Sequence, residues 1–166
     1  MARLPILTWP DPRLATPCAP VADEDVAGLA SDMLETMYAA PGRGLAAPQV
    51  GVLKRLFVMD ITWKEGTPAP RIIINPQILW RSDSTATGPE GCLSIPGVTT
   101  DITRATQIRM SWTDQNGQGH TEIMTGFAAI CAQHEYDHLD GLVTFDRLSP
   151  DLRAATEAAY LETIAT

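Results

Sequence analysis

FAAICAQHEYDHLDG, residues 127–141, is the stretch on which the fold and the chemistry both turn. Phe127, Ile130, Cys131, His134 and His138 fall at i, i+3, i+4, i+7 and i+11, the stripe that one face of an α-helix presents. Thr125 is placed to cap this helix and Gly141 to stop it. Two histidines four residues apart on one helical face lie one turn from each other. Both imidazoles can then bind one metal ion while Glu135, between them, reaches a water at that ion. A surface helix carrying two histidines by chance has the same spacing. The chain, however, holds three histidines in all, and these two share the apolar face, which favours the ligand reading. His120 reads as a strand or loop residue.

Working outward, residues 108–113 alternate polar and apolar, DQNG at 114–117 supplies a turn, and residues 120–124 return as the second arm of an antiparallel hairpin. RLFVMDI (55–61) and RIIINPQI (71–78) are rich in β-branched and large apolar residues and are parted by Gly66, Thr67, Pro68 and Pro70, which predicts two more strands. Val26, Leu29, Ala30, Met33, Leu34, Met37 and Tyr38 recur at threes and fours, a helix capped by Asp23 or Asp25 and ended by Pro41 and Gly42. The glycine-rich loop GRGLAAPQ (42–49) follows directly. Ser149 and Pro150 open a tail helix whose apolar positions include Leu152, Ala155, Ala159 and Tyr160. The order helix, strands, helix, helix predicts an α+β fold. Antiparallel sheets would pack around the central HExxH helix, with an N-terminal and a C-terminal helix, in one catalytic domain spanning residues 1–166.

Composition narrows the function classes. With 166 residues and 45% in the hydrophobic class, the chain can bury one core, and no stretch approaches the roughly 18 apolar residues of a spanning helix. Pro5, Pro10 and Pro12 interrupt the segment where a secretory signal would be apolar, so a cytoplasmic location is expected. Cys18, Cys92 and Cys131 are odd in number and irregularly spaced, which suits reduced thiols. A formal charge of −8 argues against direct nucleic-acid binding and against an anionic membrane surface.

A catalytic metal of this kind takes three protein ligands and keeps one position for water. After Gly141 the available groups are Asp146, Asp151, Glu157 and Glu162, without a histidine. Upstream, EGCLSIP holds Cys92, whose thiolate completes a set with His134 and His138. A lone cysteine is more often a buried small residue; beside HExxH the ligand reading is the stronger one.

GRGLAAPQ (42–49), EGCLS (90–94) and HEYDH (134–138) resemble, in order, the three signature motifs of the peptide deformylase family. The resemblance extends to PDPRL (10–14), DMLETMYAAPG (32–42) and DRLSP (146–150). It implies Cys92, His134 and His138 as ligands of one divalent metal ion, ferrous iron with zinc, nickel or cobalt able to substitute, and Glu135 as general acid and base. It implies removal of the formyl group from N-formylmethionyl peptides, with the formyl oxygen held by the Gln49 amide and the Leu93 backbone N–H. Gly44 would pair with the substrate backbone, and Ile130 and Cys131 would lie beside the pocket for the first side chain. Glu90 and Asp137, next to ligands, are placed to orient imidazoles or to pair with an arginine such as Arg104.

Arg43 and the segment 97–99 depart from the family pattern. Arg43 stands where a small aliphatic residue touches substrate, and Gly97, Val98 and Thr99 replace a segment that carries a peptide-holding arginine. Arg43 is therefore expected to take over part of that role from the opposite side and to alter substrate preference. The tail carries Asp151, Glu157 and Glu162 against Arg153 alone, so the docking on ribosomal RNA that a basic tail helix gives some members is expected to be weak or lacking, and the protein to be a monomer. An HExxH peptidase, or a catalytically weak deformylase-like protein with a binding role, are the alternatives.

Overall fold

The computed structural model describes residues 2–165. Helix α1 (Ala27–Ala39) matches the expected helix, with Val26 as its cap residue. Of the two aspartates proposed as caps, Asp25 takes part, its Oδ1 accepting the Ala27 N–H at 2.9 Å. Seven strands follow in two groups. Strands β1 (Gly44–Ala46), β2 (Leu56–Met59), β3 (Arg71–Arg81), β6 (Gln107–Thr113) and β7 (Gly119–Thr125) form one antiparallel sheet in the order β1-β2-β3-β6-β7. Strands β4 (Thr85–Cys92) and β5 (Ile95–Ala105) form a separate two-stranded hairpin. Helix α2 (Gly126–Leu139) carries the HExxH stretch, and α3 (Pro150–Ala165) closes the described chain. This is the α+β arrangement.

The continuous apolar run of β2 has a simple cause: both faces of its sheet are covered. Phe57 and Met59 face Ala129, Ala132 and Leu139 of α2, whereas Leu56 and Val58 face Ala30, Met33 and Met37 of α1. Successive strand side chains point to opposite faces, so helices on both sides demand an apolar residue at every position. A third cluster joins Tyr160 of α3 to Phe145, Ile95 and Leu14, with Trp9 and Cys92 packed against it.

Gly141 ends α2 as expected. Its N–H donates to the His138 carbonyl at 3.1 Å and the Leu142 N–H to the Asp137 carbonyl at 2.9 Å, a Schellman closure with Gly141 at φ 78°. A Cβ there would also fall 2.9 Å from the Ala15 carbonyl carbon, so the chain crosses at a place only glycine fills.

Several expectations are corrected. Thr125 makes no side-chain cap on α2. The stretch 85–105, not expected to be strand, forms the β4–β5 hairpin: Gly88, Pro89 and Gly91 weaken its intrinsic strand signal, and only pairing with β5 supplies it. Gly44–Ala46, within the expected loop, is a short edge strand on β2. In the tail helix Tyr160 is buried, but Leu152, Ala155 and Ala159 are exposed, because one turn around Tyr160 makes the main contact. Phe127, the first residue of the α2 stripe, is half exposed and lines a cavity instead of the core.

Candidate metal centre

Helix α2 brings Cys131, His134, Glu135 and His138 to one side, and β4 delivers Cys92 at its last position. The hairpin register shifts there: Gly91 pairs Thr99, whereas Cys92 pairs Ile95 across the Leu93–Ser94 turn. Pro96, Gly97 and Val98 therefore arch outward from β5, and the local bend turns Cys92 towards the helix. Cys92 Sγ lies 3.5 Å from His138 Nε2. The candidate ligand atoms of Cys92, His134 and His138 all lie within 4.8 Å of one another, so the fold brings together the two histidines expected from HExxH spacing and the cysteine expected as third donor.

Gln49 reaches the same place from the 3₁₀ turn Ala47–Val50 that follows β1. It is buried at 1% exposure, which sets aside a solvated loop amide. Its Oε1 accepts the Ala46 N–H at 2.9 Å, and its Nε2 donates to Ser94 Oγ at 3.0 Å and lies 3.7 Å from Cys92 Sγ. Leu93 follows Cys92 in the turn, and its side chain lies over Gly42, where a Cβ would come within 2.8 Å of Leu93 Cδ1. Gly44 is equally constrained. A Cβ at that position would stand 2.9 Å from Glu135 Cδ and 3.0 Å from Cys131 Sγ, so any larger residue would push the Glu135 carboxylate out of place.

Behind these groups runs a chain of buried charge. His134 Nδ1 is 2.9 Å from Glu90 Oε1, which leaves Nε2 directed to Cys92 and His138. Arg104, 4% exposed, donates from Nε and Nη2 to both Glu90 oxygens at 2.6 and 2.9 Å and from Nη1 to Asp137 Oδ2 at 2.9 Å. Arg147 then donates to both Asp137 oxygens, at 2.6 and 3.0 Å. The expected Glu90–Arg104 pairing is present. Arg147, given no role from sequence, is the missed member; its only signal was its place in DRLSP. Ser94, which holds the Gln49 amide, was likewise missed although it sits in EGCLS.

Burial and charge set the protonation states. Burial pushes the Cys92 thiol up, but the His138 and His134 imidazoles outweigh it and bring the group down to about 5, in the thiolate range. Burial raises Glu135 above the usual carboxylate value, only partly opposed by the two imidazoles. Burial would lower His134, yet the Glu135 charge and the hydrogen bonds of Cys92 and Glu90 hold it well above its ordinary value. Burial, with the Glu135 charge, lifts Cys131 far up, so its thiol is a neutral wall residue, donating to the Arg43 carbonyl at 3.7 Å. A thiolate, two imidazoles and a buried Glu135 Oε1 that has no hydrogen-bond partner among the described residues are a donor set suited to a divalent cation with a base beside it.

A cavity of 790 Å³ opens onto this cluster. Gly42, Arg43 and Gly44 form one side, Leu93 and Pro96–Thr99 belong to the hairpin side, and Phe127, Ile130, Cys131 and Glu135 come from α2. Of the residues expected from sequence to bind metal, act on or touch substrate, all border this space except Gln49 and His138, which lie 3.7 and 3.5 Å from Cys92 Sγ, while Arg104 and Asp137 lie outside its lining.

The polypeptide deformylase family model matches residues 3–154. The chain belongs to this family. A peptide deformylase of Alkalilimnicola ehrlichii is 53% identical over 151 residues, covering 90% of this chain and 84% of the relative. Peptide deformylase 2 of Xanthomonas campestris is 46% identical over 155 residues, covering 90% and 89%. Among solved structures, a peptide deformylase from Ehrlichia chaffeensis in complex with actinonin has a TM-score of 0.92 at 39% identity, each chain covered fully. One from Legionella pneumophila has a TM-score of 0.91 at 37% identity, covering 99% and 96%. Relatives bearing an enzyme's name do not favour the binding-module alternative.

Within this family member, Asp137 supports α2 from behind. Burial pushes its carboxyl up, but the Arg147 hydrogen bonds and the Arg104 charge hold it below its ordinary value. Asp137→Ala is expected to cost about 3–5 kcal/mol, because two guanidinium groups lose a buried partner. Thermal unfolding should fall by roughly 6–20 °C for a domain of this size. A lowered folded pKa means that the stabilisation is complete above the unfolded value near 4 and fades as pH drops through the folded one. The gap between wild type and variant should therefore narrow in acid; a gap that is small at neutral pH, or constant with pH, contradicts the assignment.

Proposed function

We propose that the chain is a metal-dependent peptide deformylase. It removes the formyl group from the N-terminal formylmethionine of newly made polypeptides and releases formate, acting in the bacterial cytoplasm. The observation that carries the reading is the convergence of Cys92, His134 and His138 with Glu135 buried beside them. Cys92, His134 and His138 would hold one divalent ion, ferrous iron first, with zinc, nickel or cobalt also suited to a thiolate and two imidazoles. Such an ion supplies Lewis acidity, lowering the pKa of water and polarising a carbonyl.

The remaining work belongs to the chain's own side chains. Among the described residues Glu135 Oε1 has no hydrogen-bond partner, and burial raises the carboxyl, so it is fitted to take a proton from the attacking water and return it to the leaving amine. The Gln49 amide is clamped by Ala46 and Ser94, a preorganised neutral donor for the oxygen on which negative charge develops, with the Leu93 N–H as its companion. Gly44 permits a peptide backbone to approach β1 while Glu135 stays in place. Ile130 and Cys131 offer apolar wall to the first side chain, consistent with a Cys131 thiol held neutral.

Formate release from a neutral formyl-Met peptide, after anaerobic loading with iron or nickel, tests this reading. Glu135→Ala should lower kcat by about 10²- to 10⁴-fold with metal content unchanged; no formate from fully loaded wild-type protein contradicts the proposal. The acidic residues of α3 lead to a second expectation, that the protein pellets weakly with ribosomes at low salt. Strong, salt-sensitive pelleting contradicts it.

A further inference from the structure

The cavity is charged in opposite senses at its two ends. At the deep end lie Glu135, and Glu90 already committed to His134 and Arg104. At the outer end the charged lining residues are both cations, Arg43 and Lys64. These cations stand on a braced platform. Trp63 Nε1 donates to the Gly42 carbonyl at 2.9 Å, fixing the turn Trp63–Glu65 against the loop that carries Arg43. The Asp60 N–H donates to the Arg43 carbonyl at 2.9 Å, and Asp60 Oδ2 accepts from Tyr38 at 2.6 Å and from the Ala69 N–H at 3.0 Å.

The side chains are held in position as well. The Arg43 guanidinium lies 5.5 Å from the Phe127 ring centroid, and Lys64 Nζ lies 5.7 Å from that of Trp63. The only anion paired with Arg43 among the described residues is Glu65 at 3.8 Å, with a side chain 64% exposed. A long, exposed contact of that kind is weak and readily exchanged for another carboxylate.

We propose that Arg43 and Lys64 form a carboxylate-binding subsite at the cavity mouth, which selects formylated chains bearing Asp or Glu at the second or third residue. The inference rests on the deformylase reading for the direction in which the peptide lies. The position follows from the ruler of α2. His134 and Phe127 are seven residues apart, about 10 Å along a helix, and an extended peptide advances roughly 3.3 Å per residue. With the formyl group at the His134 end, a carboxylate near the Phe127 end belongs to residue two or three.

The test compares formyl-Met-Ala-Glu-amide with formyl-Met-Ala-Gln-amide, and the same exchange at residue two. Amidated ends separate a side-chain carboxylate from a terminal one, so a preference that appears only with free-acid peptides overturns the side-chain assignment. One half-buried and one exposed cation should favour Glu over Gln by about 3- to 10-fold in kcat/KM at low salt. The ratio should shrink at roughly 0.5 M salt, where the screening length is about 4 Å. It should approach one in Arg43→Gln/Lys64→Gln and invert towards Lys-containing peptides in Arg43→Glu/Lys64→Glu. The same ratios should appear in calorimetric binding of the deformylated peptides, which needs no turnover. If the neutral peptide is not turned over, the functional reading fails. A Glu/Gln ratio of one in binding, or a ratio unchanged by the double substitution, overturns the subsite itself.

Discussion

Everything near the cluster depends on Arg104, a guanidinium 4% exposed between two carboxylates. An unpaired charge at that depth costs several kcal/mol, so its fold position exists only if Glu90 from β4 and Asp137 from α2 both arrive. That requirement docks the β4–β5 hairpin onto the helix. Glu90 then holds His134 by Nδ1, Cys92 follows Glu90 by two residues, and Asp137 precedes His138 directly. Three prospective ligands on two separate elements are thus brought into register by one buried cation that touches none of the ligand atoms. Arg147 extends the same constraint to the segment leading into α3.

Around this ionic frame the polypeptide leaves room by subtraction. Gly44 has no side chain because the Glu135 carboxylate occupies that space, Gly42 because Leu93 does, and Gly141 because the N-terminal segment crosses the end of α2. The two helices clamp β2 from opposite faces, which fixes the height of β1 relative to α2 and hence the approach of Gly44 to Glu135.

Much of this was legible in the sequence, where periodicity and chemistry agreed. The α1 and α2 stripes, the RLFVMDI and RIIINPQI strands and the DQNG hairpin all carry local signals, and HExxH together with Cys92 pointed to the three side chains that the fold brings within 4.8 Å of one another. The β4–β5 hairpin was not legible, since TATGPEGC has poor strand propensity and is ordered by its partner and by the ion pair at Glu90. The exposure of Leu152, Ala155 and Ala159 was hidden for a related reason: helical periodicity tells which residues share a face, not whether another element covers it. Lys64 had no local signature and Arg147 only its place in DRLSP; each acquires meaning from the residue that folding places opposite.

Family membership and the Cys92, His134 and His138 grouping support a metal site, and the central claim of the proposed reading is that Cys92 would supply a thiolate to it. Anaerobic substitution with cobalt tests it most directly, because a thiolate ligand gives cobalt an intense near-ultraviolet charge-transfer band. The band should be present in the wild-type protein, persist in Cys131→Ser and Cys18→Ser, and vanish in Cys92→Ser. A band that survives Cys92→Ser, or that is lost in one of the other two variants, would contradict the account.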